Sequence, residues 1–332
     1  SDRIDGIISQ ALIASQEQKP EAQSIWNEVS RSVLDPLAIN SQKNTTWFIS
    51  PDSELNKIPF AALKDKYSNN FISDVVKLRI ITTGRELLEL AKQPNNRPKQ
   101  TLVVANPTYE VQSKDPKPQA EVALAQTRSG DLGSLSWQPL PGTAKEGNVI
   151  ANLINAELLM NERATALALQ EKDASRVLHI ATHAYFLSDE EKGENPLLRS
   201  GIVLAGANQP DANPEDDGYL TALEVAKLDW QGTEMVVISG CESGKGDIQS
   251  GEGVYGLKRA IAVAGARSSL LSLWKVDDRA TAAFMTSFYK KLKDGKGRAD
   301  ALAATQKEFR NHPIAGWRHP YVWAAFQLSG DW

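Results

Sequence analysis

Apolar residues recur at Ile4, Ile7, Ile8 and Leu12, then at Ile25, Val29 and Val33, close to a period of 3.6. The spacing predicts two helices over residues 1–34, divided at Pro20. The period then shortens to two. Trp47–Ser50 and the alternating, β-branched run Val75–Thr82 predict strands, with turn chemistry at Pro51-Asp52-Ser53 and an extended piece at Ile58-Pro59-Phe60. Arg85–Lys92 predicts a short helix. Gln93–Gln100 holds two prolines and no apolar residue, and reads as a linker between two domains.

Beyond the linker, strand and helix patterns alternate. Strands are predicted at Thr101–Ala105, Glu157–Met160, Arg176–Thr182, Met235–Ser239, Ser268–Trp274 and Val322–Leu328. Helices are predicted at Ala144–Ile154 (with Thr143 as N-cap), Thr165–Lys172, Thr221–Lys227, Leu257–Ala264, Ala280–Leu292 and Ala299–Phe309. Residues 110–136 read as a polar surface excursion. Residues 188–217 read as an acidic loop around a short apolar piece, 201–205. Alternating βα units imply an α/β fold whose central sheet is mostly parallel, with helices on both faces.

Composition narrows the function classes. The 332 residues are 41% hydrophobic, enough for one large core or two modest ones. Lys plus Arg number 37 against 41 Asp plus Glu, a formal net charge of -4. That balance gives no reason to expect nucleic acid or an anionic membrane surface as a partner. No apolar run reaches the roughly 18 residues of a membrane span, and no segment reads as a secretory signal. The single cysteine excludes an intramolecular disulfide and a cysteine-based zinc cage. It fits a reducing compartment, so a cytoplasmic location is expected.

Two residues with nucleophile and base chemistry fall just past strand ends. His183 follows RVLHIAT and Cys241 follows MVVISG. In open α/β sheets, ligands sit at the carboxyl ends of strands, so both side chains can face one crevice. A thiol near neutral pH needs a nearby base, and His183 can supply it. Gly240, Gly244 and Gly246 leave room for a sharp turn and for a substrate chain. The backbone N–H groups of Ala184 and Cys241 are the natural oxyanion donors. The bland alternatives stay open: a lone Cys can simply pack, and a strand-end His can simply bind a carbonyl. The HxxxH spacing of His179 and His183 has no third ligand, so no metal is expected, and His179 reads as a hydrogen-bonded core residue. GKGDIQSGEGVYGLKRA lacks the P-loop pattern, and no nucleophile-elbow motif supports a thioesterase. No cofactor is expected.

HIATHAYF (179–186) and SGCESGKG (239–246) resemble the His and Cys boxes of CHAT domains, caspase-like peptidases related to separases, metacaspases and caspases. GEGVYGLKRAIAVAGARSSLLSLWKVDDRAT (251–281), FMTSFYKKL, HPYVWAAFQLSGDW, NPTYE, LPGTAKEGNVI and WFISPDSELNKIPFAAL are similar too, so the resemblance covers about residues 40–332. The detailed style is similar to cyanobacterial members, including the HetF type linked to heterocyst differentiation and cell division.

The resemblance implies a caspase-like αβα sandwich with a mostly parallel central sheet over residues 99–332. A smaller pseudo-caspase-like half over 39–98 and N-terminal helices over 1–38 would precede it. Many CHAT domains sit behind tetratricopeptide repeats, so those helices would be the end of a repeat region that engages a regulatory protein. The implied activity is a cysteine endopeptidase acting on protein or peptide substrates, with Cys241 and His183 as dyad. The alternative is a catalytically silent caspase-like interaction module. Ala184 stands where the family usually has Gly, and Gly240 where Ala is more usual. Several relatives cleave after Arg or Lys and carry an Asp two residues before the nucleophile. This sequence has Ser239 there, so a basic P1 preference would draw on Glu242, Asp247, Asp277 or Asp278, with the last two favoured. The loop 188–217 is expected to shape or gate the substrate groove.

Overall fold

A computed structural model describes residues 2–37, 39, 41–92, 98–110, 135–187, 196–240, 242–243 and 251–332. The chain divides into two compact units, Ser1–Lys92 with Leu270–Trp332, and Gln93–Ser269. The first break falls at the start of the proline-bearing linker. The second is not marked in the sequence pattern, which carries 99–332 through as one domain.

Within the first unit the chain forms α1 (Asp2–Gln16), α2 (Ala22–Val33), β1 (Thr46–Ile49), α3 (Ile72–Val75), β2 (Lys77–Ile80) and α4 (Glu86–Leu90). It then builds the second unit: β3 (Thr101–Pro107), α5 (Pro141–Ile154), β4 (Glu157–Asn161), α6 (Ala166–Gln170), β5 (Val177–Ala181), β6 (Ala184–Phe186), β7 (Ser200–Val203), β8 (Tyr219–Thr221), α7 (Ala222–Val225), β9 (Met235–Ile238), β10 (Glu242–Ser243) and α8 (Gly251–Val263). With β11 (Ser268–Ser272), α9 (Asp278–Lys293), α10 (Arg298–Arg310), α11 (Pro320–Trp323) and β12 (Phe326–Gly330) it returns to the first unit.

The fold is α/β with mostly parallel main-sheet strands and helices around them. In the first unit the strand order is β1-β2-β12-β11, and β1 and β12 both run parallel to β2. Phe284 of α9 stacks on Phe326 of β12 at 4.6 Å and meets Phe309 of α10 at 5.0 Å. Burial of each such ring contributes roughly 1.5–3 kcal/mol. In the second unit the order is β9-β5-β3-β4, all parallel. Leu102–Ala105, Val177–Ala181 and Met235–Ile238 are buried throughout, as befits parallel strands covered on both faces.

A second, four-stranded sheet, β10-β6-β7-β8, also lies in this unit. The alternation pattern does not reveal it, because its strands are only two to four residues long. Part of the expected 188–217 loop is therefore β7 and the turns that follow it, while 188–195 lies outside the described residues.

Two local expectations are corrected. Helix α5 begins at Pro141, not Ala144, and Thr143 sits inside its first turn, donating to the Leu140 carbonyl at 2.6 Å. Proline at the first helical position has its φ preset and needs no N–H there. The last strand starts at Phe326 rather than Val322, because Pro320–Trp323 coil into a helical turn capped by His319.

Candidate active site

Strand β5 ends at Ala181, and the main chain turns through Thr182 and His183 into β6. His183 is 2% exposed. Its Nε2 lies 2.8 Å from the carbonyl oxygen of Gln138. A carbonyl only accepts, so Nε2 carries the proton, and in the neutral ring Nδ1 is the basic nitrogen. Tyr109 and Trp137 flank the imidazole, with ring centroids 5.4 and 5.2 Å away.

The flanking groups are themselves tied down. Tyr109 donates to Thr182 Oγ1 at 2.8 Å, because that hydroxyl already donates to the Val203 carbonyl. Trp137 Nε1 donates to the Tyr219 hydroxyl at 2.9 Å. Tyr109, Trp137, Tyr185, Leu187, Val203, Ala207 and Tyr219 form one buried cluster. Burial, with Glu224, Tyr219 and Asp217 adding to it, pushes the Tyr185 phenol well above its ordinary pKa, so it stays neutral.

Cys241 and Asp247 lie outside the described residues. The neighbours of Cys241 on both sides do not. Gly240 rests against the backbone before His183: a Cβ there would stand 1.8 Å from the Thr182 carbonyl oxygen and 3.4 Å from the His183 nitrogen. On the other side β10 pairs in parallel with β6, Glu242 opposite Tyr185 and Ser243 opposite Phe186.

Ala184 has no positive φ, so alanine is unstrained where the family usually has glycine. The Val203 N–H bonds the His183 carbonyl at 2.9 Å. In this antiparallel register Ala184 and Ile202 then form the non-hydrogen-bonded kind of pair. The Ala184 N–H is directed away from β7, toward the side of β6 where β10 pairs.

The expected substrate-binding residues are divided between the two units. Ser239 is buried just past the end of β9, and among the described residues its hydroxyl has no hydrogen-bond partner. Asp277 and Asp278 belong to the first unit. The Asp277 carboxylate caps α9, accepting from the N–H groups of Arg279 and Ala280, both at 3.1 Å.

The other histidines have structural partners. His179 is fully buried in β5, its Nε2 3.0 Å from Glu146 Oε1. His312 accepts from the Ile314 N–H, and His319 lies 2.9 Å from the Lys19 carbonyl. Among the described residues no three metal-ligating side chains come together, and no helix is long and apolar enough to cross a membrane.

Sequence reasoning missed Tyr109, Trp137 and the Gln138 carbonyl. Tyr109 sits in the quoted NPTYE, but nothing in that string points to an imidazole. Trp137 borders the stretch read as a polar excursion. A backbone carbonyl has no sequence signature at all.

These features define an α/β domain with a mostly parallel main sheet and a histidine held at a strand end. The chain belongs to the CHAT domain family, whose pattern it matches over residues 19–331. It is 26% identical over 302 residues to human tetratricopeptide repeat protein 28 and 24% identical over 307 to the mouse protein, covering 84% of this chain in each case. It spans only 12% of the length of either relative. Among solved structures it is similar to separase in the Saccharomyces cerevisiae separase–securin complex, with TM-score 0.49 and 14% identity over 85% of this chain and 15% of that one. It is also similar to the Arg-specific cysteine proteinase gingipain R, with TM-score 0.44 and 10% identity over 78% of this chain and 55% of that one.

Proposed function

We propose that the chain is a cysteine endopeptidase in which Cys241 is the nucleophile and His183 the general acid/base. The observation that carries this reading is the bracketing of Cys241. Gly240 packs on the Thr182–His183 backbone, and Glu242 pairs with Tyr185, so the chain on both sides of the thiol runs beside the histidine.

In this mechanism Nδ1 of His183 takes the Sγ proton, and the thiolate attacks the substrate carbonyl carbon. The resulting oxyanion is held by the N–H groups of Ala184 and Cys241. The imidazolium then protonates the departing amine. Water, deprotonated by His183, hydrolyses the thioester and frees the thiol. The orientation of the Ala184 N–H toward the β10 side supports its part.

A basic P1 preference belongs to the proposal, with Glu242 and Asp247 as the candidate acids of the second unit. Ser239 supplies no charge, and the Asp277 carboxylate already caps a helix. A silent interaction module is the second reading. It is favoured by the curated relatives, which are named for tetratricopeptide repeats and not for a peptidase.

The test is the rate of Cys241 alkylation by iodoacetamide as a function of pH. A thiol paired with an imidazole reacts well below the ordinary thiol pKa of about 8.5. His183→Ala is expected to return the profile to that ordinary value. A wild-type profile that already sits there, unchanged by His183→Ala, would remove the dyad.

A further inference from the structure

We propose that Asn208 is a positioning residue for His183. Its carboxamide clamps the main chain of Trp137, so that the adjoining Gln138 carbonyl holds the Nε2–H of the imidazole and Nδ1 is left as the base. The inference rests on the dyad reading but concerns a side chain that acts on the imidazole through the 137–138 backbone.

The segment 135–140, which carries both Trp137 and Gln138, has no helix or strand to hold it. Asn208 grips it on both sides of Trp137. Its Oδ1 accepts the Trp137 N–H at 2.7 Å, and its Nδ2 donates to the Trp137 carbonyl at 3.0 Å. This is the pairing a neighbouring β-strand would make, supplied by one side chain. The orientation of the amide is fixed independently. Nδ2 also donates to Glu110 Oε1 at 2.8 Å, and a carboxylate can only accept. Reversing the amide would set oxygen against oxygen there, and also against the Trp137 carbonyl.

The clamp is anchored in turn. Gln209 Nε2 donates to Glu110 Oε2 at 3.2 Å. The backbone N–H groups of Gly206 and Asn208 donate to the carbonyls of Thr108 and Tyr109, both at 3.0 Å. The turn at 204–209 therefore holds both strips of chain that flank the imidazole, one carrying Tyr109 and the other Trp137. It follows directly from β7, whose Ile202 pairs with Ala184. The histidine, its two ring walls and its carbonyl partner thus share one short anchor.

The physical consequence is a choice of tautomer. A histidine whose Nε2–H is bound by a fixed carbonyl keeps Nδ1 unprotonated in the neutral ring. Releasing that carbonyl lets the two tautomers and the ring orientation equilibrate, which weakens general-base catalysis without altering the ring itself.

The experiment compares wild type, Asn208→Ala and Asn208→Asp, each labelled with 15N in histidine. Two-bond proton–nitrogen couplings read the His183 tautomer, and peptide turnover gives kcat, KM and their pH profiles. Wild type is expected to show the Nε2–H form. Asn208→Ala is expected to show a mixture, with kcat down about ten- to a hundredfold, within what positioned acid–base catalysis supplies, and KM within about twofold. The basic limb of its pH profile should move as well.

Asn208→Asp keeps an acceptor for the Trp137 N–H but loses both donors and meets Glu110 as a like charge. It is expected to shift the tautomer too, and it carries the test if Asn208→Ala does not fold. Wild-type tautomer and pH profile in both variants would overturn the clamp. A tautomer shift in a protein whose wild type cleaves no peptide would sink the peptidase reading and leave the clamp standing.

Discussion

At Gly240 a missing Cβ sets the local geometry. A methyl group there would lie 1.8 Å from the Thr182 carbonyl oxygen, and backbone cannot yield as a flexible side chain can. No positive φ is involved, so the requirement is purely one of space. Gly240→Ala, the residue more usual in the family, is expected to destabilise by about 1–3 kcal/mol through overpacking, and to depress peptide turnover by forcing the Cys241 segment off the His183 backbone. Urea denaturation with parallel kinetics checks both effects; a variant of wild-type stability would mean that the two backbones separate freely. The strand-end position of His183 was legible at this scale because it follows an apolar strand, whereas Cys241 lies outside the described residues. Tyr109, Trp137 and Asn208 were not legible, since their roles arise from contacts between residues 46 to 99 positions apart, made only in the folded chain.

At the scale of elements, long apolar strands and amphipathic helices were readable, and short or capped ones were not. Met235–Ile238 is continuous and buried, so its strand could be assigned from composition alone. Strands β6 and β8 hold three residues each and β10 two, too few for any period to emerge. Yet it is the pairing of β6 with β10 that sets residues of the His box beside residues of the Cys box. Asp277, expected from the sequence as a substrate-binding acid, caps α9 in the structure. Its side chain accepts the Arg279 and Ala280 N–H groups. Asp277→Ala is expected to lower stability by about 1 kcal/mol, and Asp277→Asn, also a strong N-cap, by only a few tenths. If the residue serves only the helix, neither change alters the ratio of cleavage after Arg to cleavage after Ala. A ratio that falls equally in both variants would restore it to the substrate site.

For the whole molecule, the CHAT match spans both compact units, while the candidate dyad falls in the second. The α/β class and the parallel order of the strands were readable from the alternation of periods. The return of Leu270–Trp332 to the first unit was not, because β12 carries no mark in its own sequence that it pairs with β2.

The central claim is that a thiol at 241 cleaves peptides with the help of the imidazole at 183. It is tested most directly by incubating wild type and Cys241→Ala with fluorogenic peptides varied at P1. Wild type is expected to turn over peptides, fastest with Arg or Lys at P1, and Cys241→Ala to show nothing above background. Equal signal from both proteins, or none from either on any peptide, would contradict it.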